Sequence, residues 1–192
     1  MILGVTGGFG CGKSTVTRLF ESRGFQRIDS DQLVRDRVLT APDIVGALKE
    51  RYGARVVGPD GIVARSNLAE IVFNDDAERI WLESLTHPIV FSLWREALAS
   101  NPAGRWVVEV PLLFEKSLEK WFDFIVCVAC SSEQQLARLE SRGLSSTFAG
   151  QRISKQLPLA RKIELSDFVL WNDGSAEFLG AQVDRLANSL AR

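Results

Sequence analysis

The sequence has little of several features that mark specialised classes of protein. Its 192 residues include only three cysteines, an odd number that does not suggest a disulfide framework, so we expect a reducing, cytoplasmic environment. The formal net charge is −1, which gives no general attraction to nucleic acid or to an anionic membrane. No apolar run approaches the roughly 18 residues of a membrane span, and the first residues lack the charged start of a signal peptide. We therefore expect neither a nucleic-acid nor a membrane partner.

The composition of the chain indicates one compact domain over residues 1–192. Hydrophobic residues make up 46% of the chain and charged residues 24%, which is ordinary for a unit with a sizeable core. Near-continuous apolar segments, separated by stretches of helical spacing, predict five strands at residues 2–6, 26–29, 106–110, 124–129 and 168–171. Such strands are typical of an α/β fold in which helices flank both faces of a parallel sheet. Ligands of these sheets bind beyond the carboxyl ends of the strands.

The most informative segment follows the first strand directly. Residues 7–14 read GGFGCGKS, the complete G-x-x-x-x-G-K-S pattern of a phosphate-binding loop, and helical spacing follows it. The glycines let backbone N–H groups close around phosphate oxygens, and the helix N-terminus adds partial positive charge. Lys13 can reach the β- and γ-phosphates, while the Ser14 hydroxyl ligates Mg²⁺. The expected nucleotide-binding residues here are Gly8, Gly10, Cys11, Gly12, Lys13, Ser14 and Thr15.

The remaining motifs favour phosphoryl transfer over other uses of such a loop. The chain has neither the N-K-x-D of GTPases nor the L-S-G-G-Q of transport ATPases. Asp29-Ser30-Asp31 ends the second predicted strand, at the sheet edge that the loop also occupies. One carboxylate could accept the proton of a hydroxyl acceptor, and the other could hold the magnesium shell or the acceptor. The alternative is that these residues only cap the helix that follows.

Two segments do not belong to the predicted sheet. Residues 39–102 form a long, mostly helical insertion, which we interpret as a helical acceptor-binding subdomain. Residues 138–162 contain six basic residues against one acid, Glu140. A solvated basic helix face would have the same composition. With a nucleotide site in the same chain, we interpret residues 138–162 as a lid that closes over the phosphates.

The ordered set of motifs resembles the dephospho-coenzyme A kinase family, which is a P-loop kinase family. The similarity runs nearly end to end, and its order is more specific than the loop alone. The matching segments are TGGFGCGKST at 6–15, IDSD at 28–31, THP at 86–88, PLLFE at 111–115, Gln135 with Arg138 and Arg142, and Asn172 with Gly174 and Ser175.

The resemblance implies a fold and a reaction. The fold is that of P-loop NTPases and nucleoside monophosphate kinases. The reaction transfers the γ-phosphoryl of ATP to the ribose 3′-hydroxyl of dephospho-coenzyme A, the last step of coenzyme A synthesis. The family pattern implies Asp31 as the catalytic base, Lys13, Arg138 and Arg142 as charge-stabilising groups, and Asn172 near the adenine of ATP. The metal would be Mg²⁺ at Ser14 and Asp29, and the protein a monomer or small homo-oligomer.

Two other functions remain open at this point. The chain could phosphorylate another small hydroxyl or monophosphate acceptor, or it could be a nucleotide-binding regulatory module. Cys11 stands where the family usually has serine, and a thiol at a helix N-terminus is expected to have a lowered pKa and to react readily. We interpret the C-x-x-C at residues 127–130 as core packing, because the motif ends a buried strand. We interpret His87, which precedes a proline, as structural.

Overall fold

The computed structural model describes residues 1–190 of the chain, and these form two compact units. One unit consists of Met1–Asp29 together with the chain from Ala103 onward, and the other is Ser30–Pro102. We call the first the sheet unit and the second the insertion unit. The insertion unit begins at Ser30, earlier than the start at residue 39 that the sequence indicated.

The sheet unit is built on five parallel strands, as predicted. They are β1 (Ile2–Gly7), β2 (Gln26–Asp29), β3 (Trp106–Glu109), β4 (Phe124–Ala129) and β5 (Phe168–Trp171). The strand order is β2-β3-β1-β4-β5, so the first strand lies at the centre. The chain runs from β1 to β2 on one side of β1, and later from β3 past β1 to β4 on its other side. The loop after β1 therefore lies at the topological switch point of the sheet.

Helices cover the sheet and make up most of the insertion unit. In chain order they are α1 (Lys13–Glu21), α2 (Ser30–Leu33), α3 (Pro42–Tyr52), α4 (Arg65–Asn74), α5 (Asp76–Ser100), α6 (Ser132–Ser141), α7 (Ser146–Ser154), α8 (Leu159–Leu165) and α9 (Ala176–Ser189). Serine side chains start three of them, because the hydroxyls of Ser131, Ser145 and Ser175 accept backbone N–H bonds from the first turns of α6, α7 and α9.

The main core of the sheet unit lies between the central strands and helices α1 and α9. It is formed by buried apolar side chains that alternate along the strands and recur on one face of each helix. Its members include Leu3, Val5, Val16, Phe20, Val107, Val126, Val128, Leu179 and Val183. This packing fixes the start of α1, and with it the loop that precedes α1.

The insertion unit is mostly helical, as predicted for residues 39–102. A single turn of π-helix at Val34–Val38 continues from α2, and one isolated antiparallel bridge joins Val57 to Val63. The long helix α5 begins after Asp75, whose carboxylate accepts from the N–H groups of Ala77 and Glu78 at 2.8 and 3.2 Å. Across residues 1–190, none of the helices combines the length and apolar character that crossing a lipid bilayer requires.

Candidate active site

The loop at residues 8–12 connects β1 to α1 in a conformation that requires glycine. Gly12 has φ +97°, and a Cβ at this position would lie 2.3 Å from Asn172 Nδ2. Gly7 has φ +141°, and a Cβ there would lie 2.2 Å from the carbonyl oxygen of Val128 on the adjacent strand. L side chains rarely adopt these backbone angles, and neither position has room for one. Glycine is therefore required at these positions by contacts within the protein as well as by phosphate binding.

Lys13 is the first residue of α1, and its side chain folds back over the loop. It is buried, and its Nζ donates to the carbonyl oxygens of Gly8 at 3.0 Å and Gly7 at 3.3 Å. Ser14 and Thr15 follow in the first turn of α1, which contains no acidic residue. A helix N-terminus next to a lysine and free of negative charge suits a polyphosphate. The loop residues that the sequence predicted are thus brought together as one segment.

Side chains from the opposite half of the sheet unit hold the loop in place. Gln135 Nε2 donates to the carbonyl oxygen of Phe9 at 2.6 Å, and Asn172 Nδ2 donates to that of Cys11 at 2.8 Å. Both donors are buried. The supporting role of Gln135 was missed in the sequence, although the Q-L-x-R motif contains it. Asn172 was predicted to lie near the adenine, and the structure shows it bonded to the loop itself.

Arg138 is positioned by the same asparagine. Its Nη2 donates to the backbone oxygen of Asn172 at 2.6 Å and to Oδ1 at 3.3 Å. Its Nη1 is buried and has no hydrogen-bond partner among residues 1–190. A buried guanidinium nitrogen with an unused donor is a costly arrangement unless an acceptor binds there. Arg142, four residues later, lies at the end of α6 and is exposed.

The predicted lid is anchored at its far end. Lys162 in α8 is fully buried, and its Nζ lies 2.9 Å from Glu115 Oε1 and donates to Pro111 O at 2.8 Å. The N–H of Leu157 donates to the same glutamate oxygen at 2.8 Å. Lys162 is therefore not part of a solvated basic face. Closure of residues 138–162 stays a prediction.

Two carboxylates lie side by side at the carboxyl edge of the sheet. Asp29 ends β2 and is in register with Glu109, which ends β3 next to β1. The Asp29 carboxylate pairs with the Arg27 guanidinium at 2.5 Å, and Arg27 Nε donates to Thr17 Oγ1 at 3.2 Å. Thr17 Oγ1 also lies 3.5 Å from Glu109 Oε2, which links both acids to α1. From the sequence, Glu109 was predicted only as part of a strand. A carboxylate at the end of an apolar strand could have indicated that it lies at the site.

Asp31 belongs to the insertion unit, where it lies in the first turn of α2 and is exposed. His87 lies in α5, half-buried, with its ring 5.6 Å from that of Phe91. Among residues 1–190 there is no group of three or more histidine, cysteine, aspartate or glutamate side chains arranged to hold a metal ion.

The three cysteines differ in environment. The pKa of Cys11 is lowered, chiefly because Cys130 donates a hydrogen bond to its sulfur, with a smaller contribution from Lys13 and with burial acting in the opposite direction. The predicted lowering is confirmed, but its main cause is Cys130 rather than the helix N-terminus. Cys127 and Cys130 are both buried, as core packing predicted, and burial raises the pKa of Cys127 to about 12.

Comparison with known proteins agrees with this geometry. A family model described as dephospho-CoA kinase matches residues 1–177. A dephospho-CoA kinase of Thermosynechococcus vestitus is 44% identical over 192 residues, covering 99% of this chain and 95% of that protein. A crystal structure of a Thermus thermophilus protein shares 34% identity with a TM-score of 0.85, covering 99% of this chain and 97% of its own. A dephospho-CoA kinase from Campylobacter jejuni, 24% identical with a TM-score of 0.72 and covering 98% and 96%, shares the fold.

Proposed function

The chain belongs to the dephospho-CoA kinase family, and from that membership we propose that it transfers the γ-phosphoryl of ATP to the ribose 3′-hydroxyl of dephospho-coenzyme A. The products are coenzyme A and ADP. The observation that carries the proposal is the complete phosphate-binding loop, held by Gln135 and Asn172, in a chain whose family match covers residues 1–177.

ATP binds with its phosphates in the loop at residues 8–12. Backbone N–H groups of the loop and of the first turn of α1 donate to the β- and γ-phosphate oxygens. Lys13 exchanges its two carbonyl acceptors, Gly7 and Gly8, for phosphate oxygens, and so neutralises charge that develops during transfer. Asn172 contributes by keeping the loop in shape, beside its expected place near the adenine.

The residues at the sheet edge fit a magnesium ion. Mg²⁺ keeps several waters and takes one or two protein oxygens together with substrate phosphates, and the Ser14 hydroxyl and the Asp29 carboxylate are oxygens of that kind. Ser14, through its hydroxyl, and Asp29, whose carboxylate also pairs with Arg27, would hold the ion. When bound, the ion neutralises phosphate charge in the reacting complex.

The acceptor is held by the insertion unit, which also contains Asp31. Asp31 accepts the proton of the ribose 3′-hydroxyl as that oxygen attacks the γ-phosphorus. Arg138 and Arg142 stabilise the transferring group from the lid. For Arg138, support comes from its buried, unpartnered Nη1 within residues 1–190 and its anchoring by Asn172, which together favour an incoming anion.

The proposal extends to the location and the partners of the enzyme. Three unpaired thiols suit a reducing cytoplasm. The partners are the two substrates, with neither nucleic acid nor membrane required, and the protein acts as a monomer or small homo-oligomer.

An acceptor-dependent assay tests the proposal. ADP release is followed with Mg-ATP alone, with added dephospho-coenzyme A, and with coenzyme A, whose 3′ position is already blocked. We expect rapid release with dephospho-coenzyme A only, and phosphorus NMR of the product should place the new monoester on the 3′ carbon. Equal release without acceptor, or a phosphate at another position, would contradict the proposal.

A further inference from the structure

Two thiols far apart in the sequence meet at the nucleotide loop. Cys11 lies within the loop, and Cys130 follows the carboxyl end of β4, 119 residues further along the chain. Their sulfur atoms are 3.3 Å apart, and the two side chains are 0% and 3% exposed. Both belong to the sheet unit, whose core holds them in place.

The two sulfurs are chemically unequal. Cys130 donates a hydrogen bond to Cys11, which stabilises the Cys11 thiolate and lowers its pKa, while the pKa of Cys130 is raised by the same contact and by burial. Lys13 adds positive charge near Cys11. The thiolate is the reactive form of cysteine, and a second cysteine sulfur within reach can resolve the sulfenic acid that forms on it.

We propose that Cys11 and Cys130 form a reversible disulfide, which makes the nucleotide loop a redox modification site. With hydrogen peroxide as the oxidant, the Cys11 thiolate attacks one peroxide oxygen and breaks the O–O bond, giving a sulfenic acid and hydroxide. The Cys130 sulfur then attacks the Cys11 sulfur and forms the S–S bond, and the sulfenic oxygen leaves as hydroxide. The Cys130 proton and one solvent proton convert both hydroxides to water. The two thiols thus supply the two electrons that reduce the peroxide.

Bond formation alters the loop because Cys11 is held by its backbone. A disulfide is about 2.05 Å long, so the two sulfurs must approach by about 1.2 Å from their present 3.3 Å. Cys11 donates its N–H to Gly8 O at 3.2 Å and accepts from Asn172 Nδ2 at 2.8 Å, so the strain is passed to the phosphate cradle. We expect oxidation to weaken ATP binding by about tenfold, the effect of losing one backbone hydrogen bond to a charged phosphate oxygen. This consequence rests on the proposed function, whereas disulfide formation does not.

Peptide mapping tests the bond directly. The intact protein is treated with hydrogen peroxide, denatured, alkylated and digested. We expect a cross-linked pair of peptides containing Cys11 and Cys130, a loss of two hydrogens from the intact mass, and alkylation of Cys127 alone. Cys127→Ser should still form the bond, whereas Cys130→Ser should not. A bond to Cys127, or over-oxidation of Cys11 with no cross-link, would overturn the proposal, whether or not the chain has kinase activity.

ATP affinity tests the consequence. Titration with a fluorescent ATP analogue, before and after oxidation, should show the tenfold loss, and dithiothreitol should reverse it. Cys130→Ser should bind ATP like the unaltered protein and keep that affinity after peroxide treatment. If the mapped disulfide forms and ATP affinity is unchanged, the bond does not regulate the loop and that part of the proposal is wrong.

Discussion

Replacing Lys162 by methionine tests how the carboxyl end of the lid is held to the sheet unit. The lysine is fully buried, and its Nζ has two oxygen partners, Glu115 Oε1 at 2.9 Å and Pro111 O at 2.8 Å. Methionine keeps most of the side-chain volume but removes the cation. The Glu115 carboxylate is then left without its opposite charge, although Leu157 N–H still donates to it at 2.8 Å.

The size of the effect follows from this environment. Removing one partner of a buried ion pair typically costs about 3–5 kcal/mol of unfolding free energy. Because the Glu115 side chain is 17% exposed and keeps one donor, we expect the lower end, about 3 kcal/mol. For a domain of this size the corresponding decrease in Tm is about 6–12 °C.

Urea unfolding of a double-mutant cycle measures the interaction. The variants are Lys162→Met, Glu115→Gln and their combination, with Lys120→Met as the control, because Lys120 is an exposed lysine of the same sheet unit. The combination should recover part of the loss, since it removes the stranded charge. The control should stay within about 0.5 kcal/mol of the unaltered protein. A Lys162→Met protein within about 1 kcal/mol would refute the reasoning, as would a double variant that recovers nothing.

Two further predictions concern the loop and the insertion unit. Gly12→Ala should lower ATP affinity about tenfold, because its Cβ would meet Asn172 Nδ2 at 2.3 Å and shift the backbone N–H groups that bind phosphate. Gly61→Ala, also at positive φ but in open space, should cost only about 1–2 kcal/mol of stability. Equal ATP affinity in the two variants would contradict the clash. Tyr52, the single tyrosine, has its pKa raised to about 12 by burial and then by its hydrogen bond to Glu78. The raised pKa means that the protonated phenol stabilises the folded state. This stabilisation should be complete below the unfolded pKa of about 10 and should be lost as pH rises through the folded pKa of about 12. Ultraviolet titration should therefore find the tyrosinate midpoint near 12, and Glu78→Gln should remove only part of the shift; a midpoint near 10 in protein that circular dichroism shows to be folded would be inconsistent with burial.

The strands and the loop were predictable because their signals are local. Each strand is a short run of apolar residues, and the structure reproduces all five with bounds that differ by at most one residue. The loop pattern determines both its own backbone and the helix that begins at Lys13. The compact insertion unit begins at Ser30, nine residues before the start at residue 39 that the sequence indicated. The chain passes from strand β2 into helix α2 at Ser30 with no glycine or proline between them, whereas the turn signal at Pro42 comes later.

Contacts between distant parts of the chain could not be read from the sequence. Gln135 supports the loop at Phe9, and Cys130 contacts Cys11, across 126 and 119 residues respectively. Glu109 comes beside Asp29 only through the pairing of β2 with β3. Periodicity along one segment says which face is buried, but not which side chain of another segment lies against it. The fold was therefore predictable from the sequence, whereas the hydrogen bonds within the site were not.

The most direct test of the proposed mechanism is the rate of acceptor-dependent ADP release in Asp31→Asn, measured beside Asp36→Asn as an exposed acidic control in the same unit. ATP affinity is measured for both variants, so that a binding defect is separated from a chemical one. A catalytic base contributes about 10²–10⁴-fold, so we predict a loss of that size in kcat for Asp31→Asn, with ATP affinity unchanged and with Asp36→Asn fully active. Rapid acceptor-dependent release by Asp31→Asn would contradict the account, because the proton would then be accepted elsewhere.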